Sequence, residues 1–175
     1  MTKVIAKKIC MVGPFAVGKT SLVRRFVESI FSDNYMTTIG VKISKKIVEA
    51  NDYQVNLMIW DIEGVDVFTS LKPSNLRGAA GVLLVLDGTR PKSIDVADDI
   101  YKTLREYLPD VPVVCLLNKS DLDIDWKLES TDIQKLEASG MTTIKTSAKT
   151  GENVEQAFQI LVDEMAQNSE GSVLL

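Results

Sequence analysis

Ile5-Ala6-Lys7-Lys8-Ile9-Cys10-Met11-Val12-Gly13-Pro14-Phe15-Ala16-Val17-Gly18-Lys19-Thr20-Ser21 is the stretch whose reading decides the fold. Ile5 to Val12 is a compact apolar segment that stops at Gly13, which reads as a buried strand. Beyond Thr20 the apolar residues Leu22, Val23, Phe26, Val27 and Ile30 fall at helical spacing, so a helix is expected over 20–30. Between strand and helix, residues 13–20 match G-x-x-x-x-G-K-[ST]. In that setting the glycines let the backbone curl until successive N–H groups point at phosphate oxygens, aided by the positive end of the helix dipole. The candidate phosphate-binding residues are Gly13, Phe15, Ala16, Val17, Gly18, Lys19, Thr20 and Ser21. Lys19 would sit between β- and γ-phosphates, and the Thr20 hydroxyl would ligate Mg²⁺. Chance gives such a match about once in a few hundred chains of this length, before context is counted. Alone, the motif implies a nucleoside triphosphate and no particular base.

Outward from this loop the chain alternates. Val41 to Val48 and Tyr53 to Trp60, separated by Ala50-Asn51-Asp52, read as a hairpin. Gly81 to Leu86 and Val111 to Leu117 are near-continuous apolar runs, as parallel strands covered on both faces should be. Helices are expected over 91–108, opened by Pro91 and stopped before Pro109, then over 130–138 and 153–165, with a short strand over 141–145. The order predicts a doubly wound α/β fold: a six-stranded, mostly parallel sheet with one antiparallel strand and about five flanking helices. One domain over 1–166 and a short polar tail over 167–175 are expected.

Composition agrees. The chain has 175 residues, 20 Lys+Arg, 24 Asp+Glu, no His, two Cys and a net charge of -4. Its 45% apolar and 25% charged residues are those of a folded globular domain. The lack of His excludes Ser-His and Cys-His nucleophiles, and two cysteines make no disulfide framework. Cys10 and Cys115 read as small apolar residues within strands. The acidic balance gives no support for a nucleic-acid partner. Asp121, Asp123 and Asp125 alternate like the start of a calcium loop. Trp126 and Asp132 stand where that loop needs Gly and a bidentate Glu, so the calcium reading fails. Without an apolar run of membrane length, a second-position Gly or a C-terminal Cys, a cytoplasmic protein with no direct lipid anchor is expected.

Asn118-Lys119-Ser120-Asp121 follows the second apolar run directly. A carboxylate at Asp121 can accept from both the ring N–H and the exocyclic amine of guanine, a donor pair that adenine lacks. Asn118 would tie the loops together, and the aliphatic stem of Lys119 would lie along the base. Thr146-Ser147-Ala148-Lys149 follows the next strand, so Ser147, Ala148 and Lys149 are base-side candidates, with the Ala148 N–H within reach of the guanine carbonyl.

These motifs, with Thr38-Ile39-Gly40 and Trp60-Asp61-Ile62-Glu63-Gly64 between them, occur in the order and at the strand ends of the Ras superfamily of small GTPases. The chain resembles that superfamily from about 8 to 166, and its Rab branch most. The resemblance implies a small G domain of the P-loop NTPase class, binding GTP and GDP with Mg²⁺. It makes Thr38 the first-switch threonine, adding a second hydroxyl to Mg²⁺ when the γ-phosphate is present, lets Asp61 hold the ion through water and puts the Gly64 N–H on the γ-phosphate. It also sets Phe31 edge-on to guanine and folds Tyr35 over the phosphates. Read by itself, Phe31 is a core aromatic at a helix end.

The chain departs from that pattern at Val65, where the superfamily carries the glutamine that orients the attacking water. An isopropyl group can neither donate to that water nor accept from it. The catalytic set implied is therefore Lys19, Thr38, Gly64 and a degenerate Val65. Slow hydrolysis follows, below the ~3–5 × 10⁻⁴ s⁻¹ of unassisted turnover with the glutamine. Phe15 and Ala16 replace two glycines of Ras, and the Phe15 ring would crowd the path of an arginine finger. Glu63, Asp66 or a partner in trans could supply the missing group.

Three readings stay open: a slow guanine-nucleotide switch, a GTP-loaded interaction module with negligible hydrolysis, and a P-loop ATPase or kinase, against which residues 118–121 argue. Effectors and regulators would meet the two switch regions. Residues 41–46 offer them an exposed basic strand, equally readable as a sheet edge protected by charge.

Overall fold

The computed structural model describes residues 3–34, 37–50, 52–64 and 71–171. Its first strand, β1 (Lys3–Val12), shows how the sheet divides the core. Successive side chains of a strand point to opposite faces. Ile9 and Met11 accordingly enter one apolar cluster, and Cys10 and Val12 enter another. On the first face lie α1 (Lys19–Glu28) and α5 (Val154–Gly171), whose Phe26 and Phe158 rings stack with centroids 3.7 Å apart. Ala97, Ile100 and Leu104 of α3 (Lys92–Tyr107) and Leu136 of α4 (Ser130–Ala138) fill the second.

The other strands are β2 (Val41–Ala50), β3 (Tyr53–Ile62), β4 (Gly81–Asp87), β5 (Val113–Asn118) and β6 (Thr142–Lys145), and a four-residue helix, α2 (Pro73–Leu76), precedes β4. The sheet order is β2-β3-β1-β4-β5-β6. β2 pairs antiparallel to β3, with Ala50 opposite Tyr53, while the other pairings are parallel. All seven residues of β4 are buried, as a central parallel strand covered on both faces requires. This is the doubly wound, six-stranded fold expected from the sequence, with five α-helices among the described residues. None of those helices is long and apolar enough to cross a membrane.

β1, β2 and β3 each run two residues beyond the expected strands, and three other boundaries differ for visible reasons. α1 ends at Glu28 because Ser29 adopts φ 56° and returns its N–H to the Arg25 carbonyl at 3.0 Å, which leaves Ile30 outside the helix and exposed. β5 begins after Pro112, which has no N–H for the ladder. α5 continues to Gly171 instead of giving way to a tail at 167. Its polar last turns are tied down, Asn168 Nδ2 to the Asp110 carbonyl at 2.9 Å and Ser169 Oγ to the Met165 carbonyl at 2.9 Å.

Candidate functional site

The parallel strands deliver their C-terminal ends to one edge of the sheet, the usual place for a ligand in this architecture. β1 ends at Val12 and releases the loop 13–18. A side chain at Gly13 would place its Cβ 2.3 Å from the Val85 carbonyl oxygen, so only glycine lets the loop leave here. At Gly18, with φ 100°, a Cβ would lie 2.4 Å from Asn118 Nδ2. That space is used: Asn118 Nδ2 donates to the Val17 carbonyl at 2.9 Å.

Lys19 opens α1 with its ammonium folded back under the loop, donating to the carbonyls of Pro14 at 3.0 Å and Gly13 at 3.3 Å. It is only 6% exposed. Burial pushes its pKa down to about 8; Asp61 opposes the shift and Arg90 adds to it. A phosphate arriving here would meet a cation deprived of water.

The base-side residues are bound to one another and to the phosphate loop. Asn118 accepts at Oδ1 from the Thr146 hydroxyl at 3.2 Å. Lys119, with φ 69°, reaches the Ala16 carbonyl at 3.2 Å and Asp87 Oδ2 at 2.8 Å. Asp121 Oδ1 accepts from Ser147 Oγ at 2.7 Å. Ala148 is buried, and its carbonyl accepts from Arg25 Nε at 2.8 Å, while the same guanidinium donates to the Lys149 carbonyl.

Asp87 and Arg90, which carry no motif, join this frame. The 1% exposed Asp87 carboxylate accepts from Lys119, from Arg90 Nε at 3.0 Å, and from the N–H and hydroxyl of Thr89 at 2.9 and 2.6 Å. Burial alone would raise its pKa, but these donors outweigh it and hold the carboxyl below the usual range. Arg90 continues to the Phe15 carbonyl at 2.8 Å. The available signal was a charged residue closing an otherwise wholly apolar strand.

On the opposite flank, Thr20 Oγ1 stands 2.5 Å from Thr38 Oγ1 and donates to Asp61 Oδ2 at 2.5 Å. Asp61 is 1% exposed; its Oδ1 has no hydrogen-bond partner among the described residues, and burial raises its pKa. Two hydroxyls and a buried carboxylate with an unused oxygen form a hard, all-oxygen donor set. It suits Mg²⁺, which takes few protein ligands and completes its shell with phosphate and water. Among the described residues no group of three His, Cys, Asp or Glu could cage a metal, consistent with an ion held jointly with a ligand. Gly64 approaches the phosphate loop so closely that a Cβ there would lie 2.6 Å from Phe15 Cα.

A cavity of about 820 Å³ runs between these flanks, within the size range of small-molecule sites. It is lined by Phe15, Ala16, Gly18, Lys19, Thr20, Ser21, Phe31, Thr38, Gly64 and Lys119 among others. Phe31 combines both sequence readings, lining the cavity while packing against the core. Asn118, Asp121, Ser147, Ala148 and Lys149 stand outside that lining; Asn118 reaches the phosphate loop through the Val17 carbonyl, and the Ala148 and Lys149 carbonyls are held by Arg25 of α1. Tyr35, Val65 and Asp66 lie outside the described residues.

A family model described as the Ras family matches residues 8–167. Among curated proteins, the chain is 33% identical over 167 residues to Ras-related protein Rab-2B of Dictyostelium discoideum, covering 94% of this chain and 83% of that protein. It is 34% identical over 176 residues to human Ras-related protein Rab-7L1, covering 95% and 86%. Against Ras-related protein Rab-13 of Canis lupus familiaris the identity is 32% over 166 residues, covering 94% and 82%.

Proposed function

The chain belongs to the Ras family, and from that premise we propose that it is a guanine-nucleotide switch that binds GTP and GDP with Mg²⁺ and hydrolyses GTP slowly. One observation carries the reading. The phosphate loop and the base motif are a single hydrogen-bonded unit, joined by Asn118 to Val17 and Lys119 to Ala16. A nucleotide whose phosphates lie over the loop therefore has its base directed toward Asp121. The rejection of adenine would come from the Asp121 carboxylate, which in the pose guanine takes would face the adenine N1 lone pair with neither donor.

Lys19, Thr38 and Gly64 would meet the β- and γ-phosphates. Thr20, Thr38 and, through water, Asp61 would hold Mg²⁺, which would supply positive charge to the phosphate oxygens. The chain's own contribution to hydrolysis is electrostatic: a buried ammonium and backbone N–H groups preset around the transferred group. Val65 supplies no polar atom for the attacking water, so the triphosphate state outlasts that of a relative carrying glutamine. Effectors and regulators would read residues near 35–42 and 62–77. Ile39 and Ile43 present exposed apolar surface on that side. The protein would work in the cytoplasm.

Mass analysis of nucleotide retained on the purified protein tests this reading. Retained guanine nucleotide, with a substantial triphosphate share, is expected. Retained adenine nucleotide would refute the base assignment. Val65 also favours a second reading, an interaction module that stays loaded with GTP. Single-turnover hydrolysis with and without cell extract separates the two, since only the switch is accelerated by extract.

A further inference from the structure

Where β2 and β3 end, Val41 pairs with Ile62, and the next residues do not continue the ladder in the ordinary way. Glu63 donates its N–H to the Gly40 carbonyl at 2.8 Å, while the Gly40 N–H goes to the side-chain carboxylate of Glu63, at Oε2, at 3.1 Å. Gly40 has φ 71°, a left-handed conformation in which the chain turns out of the strand and its N–H leaves the ladder. The carboxylate takes up that donor, so one residue grips both polar groups of Gly40.

We propose that Glu63 is a positioning residue: by clasping Gly40 it holds Thr38, two residues upstream, against Thr20 at the cation site. The Thr38 and Thr20 hydroxyl oxygens are 2.5 Å apart, and Thr20 in turn bonds Asp61, two residues before Glu63 in the chain. The five residues close a loop: Asp61 to Thr20, Thr20 to Thr38, Thr38 along the chain to Gly40, Gly40 back to Glu63, and Glu63 along the chain to Asp61. Alanine or isoleucine at 63 would keep the backbone bond and lose the side-chain one, leaving Gly40 free to pivot about a single contact. The Glu63 carboxylate thus serves to keep the first switch docked, in place of orienting a water. The inference rests on the guanine-switch reading. Its consequence is slow release of nucleotide held together with Mg²⁺.

The test follows release of a fluorescent, non-hydrolysable GTP analogue from the full chain and its Glu63→Gln, Glu63→Ala and Glu63→Asp variants, with Mg²⁺ and then with EDTA, and with fluorescent GDP and ADP as binding controls. Glutamine keeps an acceptor at the right reach; alanine has none, and aspartate is one methylene too short. Loss of one such bond should speed release in Mg²⁺ by about three- to tenfold for alanine and aspartate. Glutamine should stay near wild type, and EDTA should abolish the difference because Thr38 acts through the cation. Equal rates for alanine and wild type, glutamine as fast as alanine, or a difference that survives EDTA would each overturn the role. Should alanine and aspartate fail to fold, hydrogen exchange of the Gly40 N–H in wild type decides: it is expected to be protected relative to Ile39, and an unprotected Gly40 overturns the clasp. A wild-type protein that binds the fluorescent ADP as well as the GDP would overturn the guanine reading itself, a failure distinct from any difference among variants.

Discussion

The two flanks of the cavity are built on opposite principles. The base flank is saturated: Asn118, Lys119, Asp87, Asp121 and Ser147 all have partners within the protein, and several of those partners are backbone carbonyls of the phosphate loop. On the cation flank, the Thr20 hydroxyl lies 2.5 Å from both the Thr38 hydroxyl and Asp61 Oδ2, and among the described residues the other oxygen of that buried carboxylate is left without a donor. Leaving such a group unsatisfied costs about 1–3 kcal/mol or more. The saturated flank has little to gain from changing shape and suits the constant part of a ligand, base and sugar side. The unsatisfied flank gains most when charge arrives, which suits the part of the ligand that changes, the third phosphate and its ion.

Substitutions on each flank should therefore differ in kind. The largest effect is expected at Asp121, whose replacement by Asn or Ala removes the acceptor that separates the purines. Guanine preference over adenine should fall by as much as ~10⁴-fold, read by competitive titration, while affinity for inorganic triphosphate changes little. Asn118→Ala strips the Val17 carbonyl and the Thr146 hydroxyl of their buried partner. It should lower unfolding stability by about 1–3 kcal/mol in denaturant titration, with nucleotide affinity falling alongside. Val65→Gln should leave both stability and base preference alone and raise single-turnover hydrolysis toward ~3–5 × 10⁻⁴ s⁻¹.

The smallest effect concerns pH. The folded-state pKa of Asp87 lies below its ordinary value of 3.8, so its stabilisation is present above that value and is lost as pH falls through the folded one. Asp87→Asn should thus cost stability at neutral pH and converge with wild type in acid. A gap that widened in acid would place the strain on the base flank instead of the cation flank.

Much of this was legible in the sequence, for a physical reason. The phosphate loop, residues 118–121 and residues 146–149 each follow an apolar run, and parallel strands bring the ends of such runs to one edge. What lacked a signal was the connecting chemistry. Arg90 and Arg25 act on backbone carbonyls of distant loops, contacts that no local pattern encodes. Glu63 looks like a chance departure until Gly40 is seen across the strand pair. The polar stretch after Gln167 reads as a tail because composition cannot show that Asn168 finds the Asp110 carbonyl. The end of α1 escaped for a similar reason, since nothing in Ser29 announces its left-handed turn.

The most direct test of the guanine assignment is displacement of a bound fluorescent guanine nucleotide by unlabelled GDP and by ADP, in Mg²⁺, on the same protein. The account predicts that ADP needs a concentration higher than GDP by three orders of magnitude or more, in keeping with the ~10⁴-fold selectivity of sites that read donors and acceptors. Displacement by both at similar concentrations would contradict it.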